Sequence, residues 1–151
     1  MHIRVLAVGA RQPDWVNEAV GIYAERLPRA WQFRIDELDA GKGAAASRER
    51  QGERLLAAIK RAERLIALRE DGKTLRSVEF AKRLSTWQGG GDDIVFVIGG
   101  ADGLSDSVRR VEDLGLSLSA MTLPHGLARV CLVEQLYRAH TLLAGHPYHR
   151  A

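Results

Sequence analysis

Residues 94–105 read "IVFVIGGADGLS", and this stretch decides the fold. Ile94, Val95, Phe96, Val97 and Ile98 form an unbroken β-branched and aromatic run. A run with no wet face suits a central strand covered on both sides, as in a parallel sheet between helices. Gly99 and Gly100 follow at once, then Asp102, Gly103 and a short helical stretch through Val108 and Val111. Ligands of α/β proteins sit at the carboxyl ends of such strands, and glycine there lets a ligand approach the backbone. The same residues also serve an ordinary strand-to-helix turn, and the stretch alone fits both readings. Its spacing, G-G-x-x-G after the fourth strand, is not the dinucleotide fingerprint. "GKGAAAS" at 41–47 is no phosphate loop either, because no Ser/Thr follows the lysine.

Outward from this strand, strand-like and helix-like periods alternate along the whole chain. "HIRVLAV" (2–8) reads as a first strand, and after Pro13 and the cap Asp14 the residues Val16, Ala19, Val20, Tyr23 and Leu27 share a helical face. "WQFRIDEL" (31–38) alternates Trp31, Phe33 and Ile35 with polar residues, as a strand with one wet face does. An Arg-rich helix follows, with Leu55, Leu56 and Ile59 on its apolar side and Gly52 weakening it. "RLIAL" (64–68) is a third strand and "REDGKT" (69–74) a turn. Ser77 is placed to cap a helix carrying Phe80, Ala81, Leu84 and Trp87 at helical spacing. "LSLSAM" (116–121) reads as the fifth strand, and a long helix over 126–144 ends at Gly145. Five β-α units without a linker predict one α/β domain over 1–151, with a mostly parallel sheet flanked by helices. The last helix is apolar nearly all round, through Leu127, Val130, Leu132, Val133, Leu136, Tyr137, Leu142 and Leu143. It is therefore either central to the core or packed on a second copy of the chain, and in so small a domain a dimer is the expectation.

Composition excludes several classes. At 151 residues, 46 % of them hydrophobic and 27 % charged, the chain can bury one core and is neither disordered nor a disulfide scaffold. No apolar run approaches membrane-spanning length, and "VLAV" is too short for a signal-peptide core, so no membrane association and a cytoplasmic location are expected. The single cysteine, Cys131, suits a reducing compartment. A net charge of +3 and a pI near 9.3 are compatible with an RNA partner without requiring one.

Few side chains suggest chemistry. His125 precedes the last helix, where satisfying free amides is its ordinary role. Arg129 in the first turn opposes the helix dipole, which hints at a bound carboxylate or phosphate. His146 and His149 lack an aligned third ligand, since Gly145 and Pro147 break the helix that would bring Glu134 or His140 beside them, so no metal is expected. No G-x-S-x-G elbow is present. The chain ends in "HPYHR" (146–150), and Gly145 with Pro147 anchors that short reactive tail.

Taken together, "VLAVG" with "PDWV", "IGGADGLS", "LSLSAMTLPHGLARVCLVEQLYRA" and the terminal "HPYHR" resemble the ribosomal large subunit methyltransferase H family over essentially the whole chain. Gly126 departs from the Pro or Gln common among relatives. The resemblance implies methylation of N3 of a pseudouridine in large-subunit (23S) ribosomal RNA, on assembled ribosomes, with S-adenosylmethionine as donor and no metal. It also implies a SPOUT-type fold with a C-terminal trefoil knot and a homodimer. The implied donor site comprises Leu68, Gly99, Gly100, Leu118, Ser119, Ala120, Met121, Thr122 and Leu123. Tyr148, His149 and Arg150 would reach the partner's site, with His149 or His125 assisting loss of the N3 proton and Arg150 stabilising charge on the ring. Basic residues such as Arg4, Lys42, Arg48, Arg129 and Arg138 are candidates for contact with ribosomal phosphates. A non-catalytic ribosome-binding factor and a small-molecule nucleotide enzyme are the competing classes; failure to bind the methyl donor marks the first, and binding of ATP or NAD the second.

Overall fold

The computed structural model describes residues 1–9 and 11–150. Five strands, β1 (Ile3–Val8), β2 (Arg34–Leu38), β3 (Glu63–Thr74), β4 (Asp93–Ile98) and β5 (Leu114–Ser117), form one parallel sheet in the order β2-β1-β4-β3-β5. Helices α1 (Asp14–Ala24), α2 (Arg48–Ala58), α3 (Ser77–Gly89), α4 (Asp106–Val111) and α5 (His125–Ala144) alternate with them.

The strand pleat separates two cores. Ile3, Val5 and Ala7 of β1 and Ile94, Phe96 and Ile98 of β4 face Phe80 and Leu84 of α3 and Leu132, Val133 and Leu136 of α5. The alternate residues Leu6, Val8, Val95 and Val97 face Leu55 of α2 and Val108 of α4. Burial on both faces explains why these strands are continuously apolar. The helices after β1 and β4, neighbours in the sheet, lie on opposite faces, which opens a crevice at their carboxyl ends.

Several elements differ from the periodic reading. Trp31 lies in a 3₁₀ turn (Arg29–Trp31), closed by Gln32 with φ +46°, so β2 begins only at Arg34. Tertiary packing overrides the alternation there: Trp31 is buried, with its ring edge-on to His140 at 5.7 Å. Ser77 is the first helical residue and not the cap; its hydroxyl donates to Gln135 of α5, and the Arg76 amide donates to Glu79 instead. The fifth strand ends at Ser117, and residues 118–123 form a loop.

"REDGKT" is not a turn. β3 continues through Thr74 with a register shift, so that Leu68 and Lys73 both pair with Leu116. The extra residues bulge out and carry Arg69, Glu70 and Asp71 with them. Two glycines make the bulge possible. A Cβ at Gly72 would stand 2.7 Å from the Gly115 backbone, and one at Gly115 would stand 2.3 Å from the Arg69 guanidinium.

Gly52, which costs helix propensity, is a close-approach residue: a Cβ there would lie 2.0 Å from Ser105 Oγ, the oxygen that accepts from the Val108 amide at the start of α4. Gly126 is similar, with a Cβ falling 2.9 Å from Val16 of α1. As for α5, Leu132, Val133 and Leu136 are fully buried against the sheet and α1 and α3 flank it, so its core role is explained within one chain. Leu127 and Leu143 stay exposed on it, as do Trp15 and Ile22 on α1.

Candidate functional site

A cleft of about 690 Å³ opens where the carboxyl ends of the strands meet. Its floor is Leu68 of β3, Ile98 of β4 and Leu116 and Ser117 of β5. One wall is the glycine turn from Gly99 to Leu104, and the other is the loop through Leu118, Ser119, Met121, Thr122 and Leu123, closed by Pro124, His125 and Ala128 of α5. Of the expected donor-site residues, Leu68, Gly99, Gly100, Leu118, Ser119, Met121, Thr122 and Leu123 all line it, and Ala120 does not. Periodicity missed Arg69, Glu70 and Asp71, which reach the cleft on the β3 bulge, and Gly9, Ala40, Arg48 and Arg109, which come from distant segments.

The glycine turn is sterically determined. A Cβ on Gly99 would stand 2.7 Å from the Gly103 backbone, and Gly103 itself holds φ +77°. Gln51 braces the turn from outside. Its amide nitrogen donates to the carbonyls of Ala40 and Ala46, at 3.0 and 3.1 Å, and its oxygen would lie 2.7 Å from a Cβ on Gly100. The opposite wall is tied to the bulge, because Thr122 Oγ1 donates to Glu70 at 2.8 Å. Arg69 holds Glu112 through Nε at 3.0 Å and also pairs with Asp71, which Arg109 contacts as well. Arg69 first and Arg109 next hold the Asp71 carboxyl below its usual range.

His125 is the first residue of α5, and its Nε2 accepts from Arg129 Nε at 2.9 Å, one helical turn later. Arg129 in turn donates through Nη1 to Glu37 of β2 at 2.6 Å. Burial first, and the Arg129 charge second, push the His125 imidazole down to about 4, so the ring is neutral at physiological pH. The carboxylate foreseen for Arg129 is therefore Glu37.

The tail lies elsewhere. Residues Pro147–Arg150 form a 3₁₀ turn folded back on the far half of α5. Tyr148 sits 4.6 Å from the Tyr137 ring, and its hydroxyl donates to Glu134 at 3.0 Å. Burial, then the neighbouring Tyr23 and Glu134, raise the Tyr148 phenol above its usual range. His149 Nδ1 is buried without a hydrogen-bond partner among the described residues, and Arg150 is exposed. Tyr148, His149 and Arg150 do not line the cleft of their own chain. Arg4 is also withdrawn from any outside partner, being held by Glu63 at 2.6 Å, Asp36 at 3.1 Å and the Ala58 carbonyl. Among the described residues no group of His, Cys, Asp and Glu is placed to hold a metal, and no helix is long and apolar enough to cross a membrane.

The fold has known counterparts. The SpoU methyltransferase AviRb from Streptomyces viridochromogenes, solved with AdoMet, superposes with a TM-score of 0.51 at 14 % identity, over 92 % of this chain; the chain spans 58 % of that protein's length. A methylase family protein from Haemophilus influenzae superposes with a TM-score of 0.60 at 10 % identity, over 97 % of this chain and 69 % of the other. At these identities the likeness shows the fold, which is that of the SpoU/SPOUT methyltransferases. The family model for "Predicted SPOUT methyltransferase" matches residues 1–149. Full-length relatives carry the name ribosomal RNA large subunit methyltransferase H: that of Chromobacterium violaceum is 48 % identical, that of Neisseria meningitidis serogroup C 46 % and that of Dechloromonas aromatica 44 %, each over 99 % of both chains. The chain belongs to the SPOUT methyltransferase family and, within it, to the ribosomal RNA large subunit methyltransferase H group.

Proposed function

We propose that this protein methylates N3 of a pseudouridine in large-subunit ribosomal RNA with S-adenosylmethionine, as a homodimer in which the tail of one subunit completes the cleft of the other. The observation that carries the reading is the cleft itself: eight of the nine residues expected to hold the donor line it. The residues suit that ligand. Leu68, Leu116 and Leu118 offer apolar contact to an adenosine, the glycine turn offers backbone, and Glu70 and Asp102 put carboxylates near a cationic sulfonium and ammonium. Bound there, the donor supplies an electrophilic methyl group. The N3 lone pair forms the new bond as the methyl–sulfur bond breaks toward sulfur, and the N3 proton leaves to a base. In this reading His149 takes that proton and Arg150 stabilises charge growing on the ring.

The homodimer is supported by what a single chain leaves undone. The tail lies away from its own cleft, and Trp15, Ile22, Leu127 and Leu143 remain exposed on adjacent helices. The C-terminal trefoil knot and the cytoplasmic location belong to the same reading. For ribosomal phosphates, Lys42 and Arg48 fit best: Lys42 is exposed, and Arg48 is at the cleft with its side chain 40 % exposed, whereas Arg4 and Arg129 are buried side chains committed to ion pairs with Glu63 and Glu37.

The test is transfer of labelled methyl from S-adenosylmethionine to ribosomes from a strain lacking this gene, with mass spectrometry locating the label. Methylpseudouridine in large-subunit RNA is the expected product. Ribosomes that stay unlabelled would overturn the substrate, and full turnover by Arg150→Ala would remove Arg150 from the site.

A further inference from the structure

A second concave surface lies outside the cleft. A groove of about 520 Å³ runs between the end of β3, at Lys73 and Thr74, and a face of α3 that carries Glu79, Lys82, Arg83 and Thr86. Those four positions have the i, i+3, i+4, i+7 spacing of a single helical face. Buried Trp87 closes the floor. The side chains of Lys73, Lys82 and Arg83 make no ion pair or hydrogen bond among the described residues. Glu79 stands four residues before Arg83 but is engaged elsewhere: it accepts from the Arg76 amide at 2.7 Å and pairs with the Arg76 side chain at 3.8 Å. Three unanswered cations around one concavity repel one another, and an anion lodged among them relieves that repulsion.

We propose that this groove takes backbone phosphates of the RNA strand whose target base enters the cleft. This rests on the methyltransferase reading above. Groove and cleft adjoin: Leu116 and Ser117 of the cleft floor pair with Lys73 and Thr74, so one strand spacing of about 4.8 Å separates the two backbones. Thr74 and Ser117 each end their strand at the edge of the sheet where the cleft opens. Lys42 and Arg48 follow β2, at the opposite side of the sheet from β5. Basic side chains therefore stand on both sides of the cleft, as a strand laid across it needs for phosphates before and after the target. A shallow groove with flexible cationic stems recognises a polyanion by charge, and leaves the reading of the base to the cleft. Such contacts hold the strand equally before and during methyl transfer, so they lower KM without raising kcat.

The experiment compares wild type with a groove variant, Lys73→Ala with Lys82→Ala and Arg83→Ala. A control loses the same charge through Arg29→Ala, Lys60→Ala and Arg61→Ala, exposed residues that precede β2 and β3 at the other end of the sheet. Affinity for protein-free large-subunit RNA is measured against salt. The groove variant should flatten the slope of log affinity on log salt by about 2, since each phosphate contact on a single strand contributes about 0.7, and the control should keep the wild-type slope. In methyl transfer to ribosomes the groove variant should raise KM about tenfold with kcat within about twofold. Its binding of S-adenosylmethionine without RNA, by calorimetry, should match wild type and so report an intact cleft. If it does not, Lys82→Ala alone carries the comparison, with a slope change of about 0.7. A wild-type slope and KM in the groove variant, a loss confined to kcat, or equal losses in variant and control would each overturn the proposal. A raised KM for ribosomes with unchanged affinity for protein-free RNA would put an acidic protein surface in the groove and overturn it too. If wild type binds RNA but methylates no ribosomal RNA, the function proposed above fails, while the salt slope still decides whether phosphates occupy the groove.

Discussion

At the N-terminal end of α5, Arg129 is buried, bonded to a histidine in its own helix and to Glu37 of β2, with one nitrogen unpaired among the described residues. At the other end Arg138 pairs with Glu134 of its own helix at 2.7 Å, with side chains 20 % and 16 % exposed, and lies over the Tyr148 ring at 5.1 Å. Twelve residues of helix separate His125 from Tyr137, roughly 18 Å at the usual rise. One helix thus supports two clusters of chemically similar residues. The near one is built into the cleft by long-range contacts; the far one is a local pair that holds the tail. The helix end at the cleft is tied to β2 through Glu37, while the tail is parked on the far half of its own helix and beside Tyr23 of α1.

The largest expected effect breaks the comparison by joining its two ends across a dimer. A Gly99→Val protein, with its glycine turn forced out of shape by the Gly103 backbone, and a protein with alanine at Tyr148, His149 and Arg150 should each lose turnover. Denatured together and refolded, they should recover about a quarter of wild-type activity, since half the dimers are mixed and each has one intact site. No recovery in mixtures whose mixed dimers are verified by mass spectrometry would show that tail and cleft act within one chain.

Stability should separate the two arginines next. Arg129→Ala is expected to cost about 2–3 kcal/mol in urea unfolding, less than the usual penalty for breaking a buried pair, because Glu37 is 40 % exposed and stays hydrated. Arg138→Ala should cost about 1 kcal/mol. Equal costs would mean that burial of Arg129 adds nothing. A pH series sharpens the same contrast. The folded chain protonates His125 only near pH 4, whereas the unfolded chain does so near 6.5. Stability from this group is therefore complete above 6.5 and is lost as pH falls towards 4, with a slope of up to about 1.4 kcal/mol per pH unit. His125→Asn should remove that part of the slope, and an unchanged profile would refute the assignment. Smallest of all, Tyr148→Phe gives up one hydrogen bond to Glu134 and should cost about 0.5–1 kcal/mol, read from the denaturation midpoint.

Much of the fold was legible in residue order. The continuous run at 94–98 announced a strand covered on both faces, and it lies in the middle of the sheet. Gly145 with φ +73° ends α5 where a left-handed residue was expected. The cleft's two glycine-turn and loop walls were legible only through resemblance, because backbone and leucines carry no distinctive chemical pattern. Two features had no local signal at all. "REDG" has turn composition, yet β5 pairs with β3 on both sides of it and turns it into a bulge. Gly52 looks like a weak point of a helix until Ser105 is brought against it.

Sequence alone determined the succession of five β-α units, the two-sided burial of the central strands and the end of the last helix, because each rests on the period and steric limits of adjacent residues. Tertiary structure alone decided that Glu37 meets Arg129, that Arg69, Glu70 and Asp71 reach the cleft, and that His125 is held neutral. Those outcomes depend on contacts between residues far apart in the chain, and on the loss of water around them, neither of which any local pattern encodes.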